Sequence, residues 1–164
     1  MDKQSFIEAV RAGGIVGEGG AGFPSHVKFN AEAAVVIANG CECEPLLHTD
    51  HQILKHHPDL VLAGLAALSG ATVAERAVLA LKRKHNDLVP MLEKKCGERG
   101  IELFLLDDFY PAGDEQILLR EVTGRSVPPQ GIPLNVGAVI SNVGTLKDVA
   151  AAVGAGGSKT PLTG

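Results

Sequence analysis

Tryptophan is absent from this 164-residue chain, and its aromatic residues are limited to five phenylalanines and one tyrosine. So few rings leave little material for the base-stacking platforms that hold single-stranded nucleic acid. Positive charge is also short. Fifteen Lys and Arg against nineteen Asp and Glu give a formal net charge of −4, with a pI near 5.8. That balance makes a poor partner for phosphate backbones, and nucleic acid is excluded as a main ligand. The three cysteines, Cys41, Cys43 and Cys96, are an odd number. Two of them stand only two residues apart, so a disulfide framework is not expected and the chain reads as a protein of a reducing cytosol. No basic-then-apolar leader precedes the first helical pattern, and no apolar run reaches the ~18 residues of a membrane span. The expected location is cytoplasmic, with no direct membrane insertion.

What is present suits a single folded domain. Hydrophobic residues make up 45% and charged residues 21% of the chain, and the mean hydropathy is +0.15, which excludes a disordered polymer. A chain of this length buries roughly 68–70% of the surface it exposes when unfolded, enough for a proper core. Asp2 to Ala12 carries Phe6, Ile7 and Val10 at helical spacing and stops at Gly13-Gly14. Ala33 to Ala38, Ala77 to Leu81, Ile101 to Leu106 and Ala138 to Ser141 are short apolar runs of strand type. Between and after them, helices are predicted over Asp59 to Leu68, Asn86 to Cys96, Gly113 to Thr123 and Thr145 to Val153, with one helical turn over Asp50 to Lys55. Alternating strands and helices predict an α/β three-layer sandwich: a mostly parallel or mixed central sheet with helices on both faces. The domain is expected to span residues 1–153. Gly154 to Gly164 shows no periodicity and reads as a flexible tail or an artificial boundary.

Glycine is the outlier, at twenty residues, and its clustering locates the candidate chemistry. Gly17-Glu18-Gly19-Gly20-Ala21-Gly22 satisfies G-x-G-x-x-G in letters. The dinucleotide fingerprint must leave a strand and open a helix, however, whereas this loop follows a helical pattern and runs into Phe23-Pro24. Glycines so dense still let a backbone present several N–H groups to one anion. Asn39 to Pro45 (NGCECEP) leaves a predicted strand end, where α/β sheets place ligands. Its Glu42 and Glu44 suit ribose hydroxyls or an amide rather than phosphate, or else form a solvated turn. Cys41 and Cys43 near His48 and His51 raise a zinc reading, although C-x-C with H-x-x-H departs from structural zinc spacing. The six histidines as a set read as surface residues, and no metal site is assigned. Tyr110 to Glu115 (YPAGDE) and Ser141 to Thr145 (SNVGT) both lead into predicted helices. The first reads as an acidic N-cap; the second suits either a phosphate or a cap. Without G-x-S-x-G a hydrolase elbow is missing. Cys43 is the only plausible nucleophile, and its acidic neighbours blunt it.

Four blocks in this order, GEGGAGFPSHVKF (17–29), NGCECEP (39–45), YPAGDEQILLREVTGRSVPP (110–129) and SNVGTL (141–146), resemble the flavin-carrying, NADH-oxidising subunit of respiratory complex I. They are closer still to the C subunit of Rnf-type electron-transport complexes, and are similar to its cobalamin-reductase and proline-reductase-associated relatives. The resemblance implies an FMN-binding oxidoreductase domain of the NADH dehydrogenase type, which accepts hydride from NADH and passes electrons to an iron–sulfur domain or subunit outside this chain. It implies that Gly17, Gly19, Gly20, Gly22 and Lys28 line the flavin. Asn39, Cys41, Glu42 and Glu44 would border the isoalloxazine, with Glu44 meeting NADH. Tyr110, Gly113, Asp114 and Glu115 would border the same ring, and Asn142 and Thr145 would hold the FMN phosphate. In such a site the flavin supplies the chemistry and no side chain is expected to act as a catalytic acid or base.

Some positions depart from the pattern. Glu18 stands where complex I has a basic residue, Cys41 where it has aspartate, and Gln130 or Ile132 where its proline-rich loop carries an aromatic. These changes weaken adenine stacking and phosphate pairing, so the donor need not be NADH. Three cysteines are too few for the usual four thiolates of an iron–sulfur cluster, and none is expected within this chain. Two other readings stand beside the flavin domain: a docking module of the same fold without its cofactor, and a zinc-binding domain built on Cys41, Cys43 and histidines. Association with a membrane complex or larger assembly would run through partners.

Overall fold

Four short aliphatic runs pair side by side, all parallel, in the order β3-β2-β1-β4. They are β1 (Val35–Asn39), β2 (Arg76–Lys82), β3 (Glu102–Leu106) and β4 (Ala138–Asn142). The structure is a computed structural model and describes residues 2–15, 29–30, 32–41, 49–107, 115–126, 128, 131 and 133–157. Every residue of β1 is buried, as expected of an inner parallel strand covered on both faces. Side chains alternate across the sheet and so feed two cores. Val36, Ala38, Leu79, Leu81 and Val139 join the larger, while Val35, Ile37, Val78, Ala80, Ala138 and Ile140 join the smaller.

The helices are α1 (Lys3–Ala12), α2 (Thr49–His56), α3 (Pro58–Thr72), α4 (Val89–Glu98), α5 (Glu115–Thr123) and α6 (Val143–Gly157). Phe6 and Val10 of α1, Leu54 of α2, Leu62 and Leu65 of α3, Leu92 of α4 and Leu146 of α6 all lie in the larger core. Leu118, Leu119 and Val122 of α5 cover the opposite face. The molecule is therefore the expected three-layer α/β sandwich, with a sheet that is wholly parallel among the described residues. Local chemistry sets the helix ends. The Asp2 carboxylate accepts from the Ser5 N–H at 2.7 Å, which satisfies one orphan donor of α1. Pro58 occupies the first turn of α3, where its missing N–H does no harm.

Gly64 fixes how α3 meets α6. A Cβ at this position would run into the main-chain carbonyl of Leu146, so the two helices touch backbone to backbone. Gly40 acts similarly just past β1, where a Cβ would lie 2.8 Å from the Ala80 carbonyl oxygen and 3.1 Å from Leu54.

Several boundaries differ from those predicted. The helical turn at 50–55 is a full two-turn helix, Thr49–His56. Residues 83–85 form a separate 3-10 turn, and α4 begins only at Val89, beside Pro90 in its first turn. The last helix starts at Val143 and runs to Gly157, beyond the expected end at Val153. Val149 lies in the larger core, with Ala152 and Val153 packed against it, and the helical backbone continues past them to Gly157. Among the described residues no helix is long and apolar enough to cross a membrane.

Candidate functional site

Because all four strands run the same way, their carboxyl ends lie along one edge. Three of the four sequence blocks fall at or after these ends in the chain: Asn39 closes β1, the block from Tyr110 follows β3 in sequence, and Ser141 and Asn142 close β4. The helices that follow β1, β2 and β4 pack on the larger core, whereas α5, which follows β3, packs on the smaller. Chain leaving β2 and chain leaving β3 therefore turn to opposite faces of the sheet. The strand ends beside such a parting are the usual ligand position in open α/β sheets.

The described residues of this edge form a polar rim. Asn39 and Asn142 are Cα partners in register across β1 and β4. Asn39 is 8% exposed, and its Oδ1 accepts from the Cys41 N–H at 3.0 Å, which pins the first step of the turn. Asn142 caps α6: its Oδ1 accepts from the Gly144 N–H at 2.7 Å. Its amide nitrogen donates to both carboxylate oxygens of Asp50, each at 3.3 Å. Thr145, in the first turn of α6, is fully buried, and Ser141 is buried beside it. Glu115 opens α5 and is exposed. Of the other residues assigned by resemblance, Gly17, Gly19, Gly20, Gly22, Lys28, Glu42, Glu44, Tyr110, Gly113 and Asp114 lie outside the described residues.

Two side chains of the rim are ones that sequence reasoning misses. Lys82 ends β2 and is only 2% exposed, with its Nζ donating to the Asp107 carbonyl at 3.2 Å. The neighbouring Arg83 donates to the Asp107 carboxylate at 2.8 Å. A buried ammonium is retained only where it is compensated, and this one stands where the chain parts toward the two faces. Its one signal is a lysine closing an apolar run, RAVLALK. Asp50 is the second. It is buried in the first turn of α2, and a first-turn acid reads from sequence as an ordinary dipole partner.

Cysteine and histidine fall differently from the zinc reading. Cys41 is buried in the smaller core, and Cys96 is buried in the larger, where desolvation pushes its thiol up to about 11. Cys43 and His48 lie outside the described residues. His51 instead meets Asp87, with Nε2 and Oδ2 at 2.9 Å, and its ring lies 5.0 Å from that of His85. The hydrogen bond from His51 holds the Asp87 carboxyl below the ordinary carboxylate range. Two of the six histidines are thus clustered and half-buried rather than scattered on the surface.

The fit to a flavin can be judged on donor chemistry. The described rim offers two asparagine side chains, the first turn of α6 and the buried Lys82 ammonium. Neutral hydrogen-bonding groups suit the edge of a flat heteroaromatic ring, and a desolvated cation suits a phosphate. The rim is compatible with FMN.

Comparison with known proteins agrees. The model of a family described as the Nuo51 FMN-binding domain matches residues 10–151. Cobalamin reductase PduS of Citrobacter freundii is 42% identical over 156 residues, covering 93% of this chain and 34% of that protein. The C subunit of the Na+-translocating ferredoxin:NAD+ oxidoreductase complex of Acetobacterium woodii is 34% identical over 155 residues, 92% of this chain and 35% of the relative. Among solved structures, an NAD+-reducing nickel–iron hydrogenase in its H2-reduced state superimposes with a TM-score of 0.75 at 28% identity. That match covers 93% of this chain and 31% of the hydrogenase chain. The chain thus spans about a third of the length of the relatives it matches.

Proposed function

The chain belongs to the Nuo51 FMN-binding domain family, and from that membership we propose that it is the flavin-holding domain of an NADH-linked electron-transfer oxidoreductase. The observation that supports the reading is that β1, β3 and β4, the strands after or within which three of the family blocks fall in sequence, all end at the carboxyl edge of one parallel sheet. FMN, when bound, takes up a hydride as an electron pair and releases the electrons singly. The chain's own residues bind, orient and exclude water. The glycine loop (Gly17, Gly19, Gly20, Gly22) and Lys28 would line the ring, and Asn39 with the Cys41–Glu44 turn would border it. Tyr110, Gly113, Asp114 and Glu115 would close the same slot from the β3 side, and the start of α6, with Asn142 and Thr145, would address the phosphate. Asn142 already serves Asp50 and Gly144, so its part there is to set the α6 backbone donors rather than to spend its own amide on the ligand.

NADH is the proposed donor, with Glu44 in a turn too acidic for phosphate and suited to hydroxyl or amide groups. Electrons would leave to an iron–sulfur domain or subunit of a larger assembly on the cytoplasmic side. The reading is tested by titrating the folded protein with FMN while following flavin fluorescence and absorbance. Saturable one-to-one binding with quenching is expected; no binding up to about tens of micromolar in a folded sample defeats it, and leaves the cofactor-free docking module. Glu44→Ala is expected to weaken NADH more than FMN, and equal losses would reduce that residue to a shaper of the turn.

A further inference from the structure

We propose that His51, His85 and Asp87 form a site for one divalent transition-metal ion of the zinc type, built from side chains other than those assigned to the flavin. One ligand atom from each residue lies within 4.8 Å of the other two. Metal–nitrogen and metal–oxygen bonds of about 2.0–2.2 Å place tetrahedral ligand atoms roughly 3.3–3.5 Å apart, so the cluster needs only side-chain adjustment to close on an ion. The His51–Asp87 pair, at 2.9 Å, already draws two of the ligands together. The two rings are inclined at 43° with centroids 5.0 Å apart, a tilt that lets their nitrogens converge rather than stack.

The donor set selects the ion. Two imidazoles and one carboxylate suit Zn2+ and its neighbours, whereas Ca2+ and Mg2+ require oxygen donors, and Cu+ favours sulfur. The half-buried rings form the floor, and the exposed Asp87 forms the rim, so an ion has an entry path and a water completes the fourth position. Coordination replaces the His51–Asp87 hydrogen bond: the imidazole nitrogen gives its lone pair to the metal, and any proton it carried leaves to solvent or to the other ring nitrogen. The ion would be a clip. His51 belongs to α2, while His85 and Asp87 sit in the connection between β2 and α4, so one ion ties together two segments that are distant in sequence. Asp50, next to His51, holds Asn142 at the end of β4, so the clip would also steady that contact.

The test uses the 164-residue chain stripped with a chelator and titrated with Zn2+ by calorimetry, and with Co2+ as a visible-absorption probe. One-to-one Zn2+ binding is expected, with Co2+ giving the d–d bands of a four- or five-coordinate nitrogen and oxygen site. His51→Ala and His85→Ala should abolish binding. Asp87→Asn, at an exposed position that leaves the fold intact, should weaken it at least about tenfold and remove the zinc-dependent rise in melting temperature. Cys43→Ser should change neither. Circular dichroism checks each fold, and the exposed Asp87 variant decides the matter even if a histidine variant misfolds. Absence of stoichiometric binding, undiminished affinity in Asp87→Asn, or loss in Cys43→Ser overturns the proposal. FMN plays no part in these readings, so their failure leaves the flavin assignment untouched.

Discussion

The amide of Asn142 and the carboxylate of Asp50 meet at 3.3 Å across 92 positions of sequence. One side chain thereby joins three elements: it ends β4, caps α6 and holds the first turn of α2. Asp50→Ala removes an acceptor from a buried position and is expected to destabilise by about 1–2 kcal/mol in urea unfolding. Asn142→Asp sets two carboxylates against each other. Its defect should be larger at neutral pH than in acid, where protonation relieves the repulsion. A loss independent of pH would mean that the contact carries no electrostatic weight.

Gly64→Ala forces a methyl group into the Leu146 carbonyl. Backbone cannot rotate aside as a side chain can, so a loss of about 3 kcal/mol is expected by chemical denaturation. At Gly70, in the same helix, an added methyl group would have nothing within 4 Å, and Gly70→Ala should stabilise by about 0.5–1 kcal/mol. Equal effects at the two sites would show that α3 and α6 do not touch as described.

Lys82→Met keeps an aliphatic stem in the buried site and removes the ammonium. If this ammonium helps to compensate the negative charge of FMN bound at the same sheet edge, affinity should fall about tenfold or more in a fluorescence titration, with circular dichroism unchanged. Unaltered affinity would leave the phosphate to the donors at the start of α6 alone.

Cys96, with its thiol at about 11, holds at pH 8 only about one part in a thousand of thiolate. Alkylation mapped by mass spectrometry should leave it unmodified in the native protein and label it after denaturation. Labelling on the native timescale of an exposed thiol would contradict its burial in the core.

The Arg76 guanidinium grips Glu102 with two bonds, at 2.8 and 3.0 Å, and holds that carboxyl below its ordinary 4.5. A depressed folded-state value stabilises above the unfolded value and stops doing so as pH falls through the folded one. Glu102→Gln should therefore cost stability at pH 7 and cease to matter in acid. Both groups are about half exposed, so the difference should stay below about 1 kcal/mol and diminish with salt.

Much of the sheet is legible in the sequence because strands buried on both faces carry no polar alternation to mislead. VVIA and AVIS announce themselves as apolar runs, and Pro58 and Asp2 mark helix starts through their own backbone chemistry. Meetings between distant segments are not legible. Nothing in the periodicity around His51 points to Asp87, 36 residues away, because each histidine alone resembles a surface residue. Lys82 is hidden by the apolar run it closes, since a sequence window cannot tell a lysine leaving the sheet from one tucked beneath it. The end of α6 is hidden because glycine has low helix propensity, so a window over GAGG gives no sign that the helix continues.

With no side chain standing between α3 and α6 at Gly64, those helices lack the soft layer across which packed rods ordinarily slide. They move as one slab, and Asn142, rooted where α6 begins, travels with it. The distance from that asparagine to the buried face of α3 is thereby set by main chain alone.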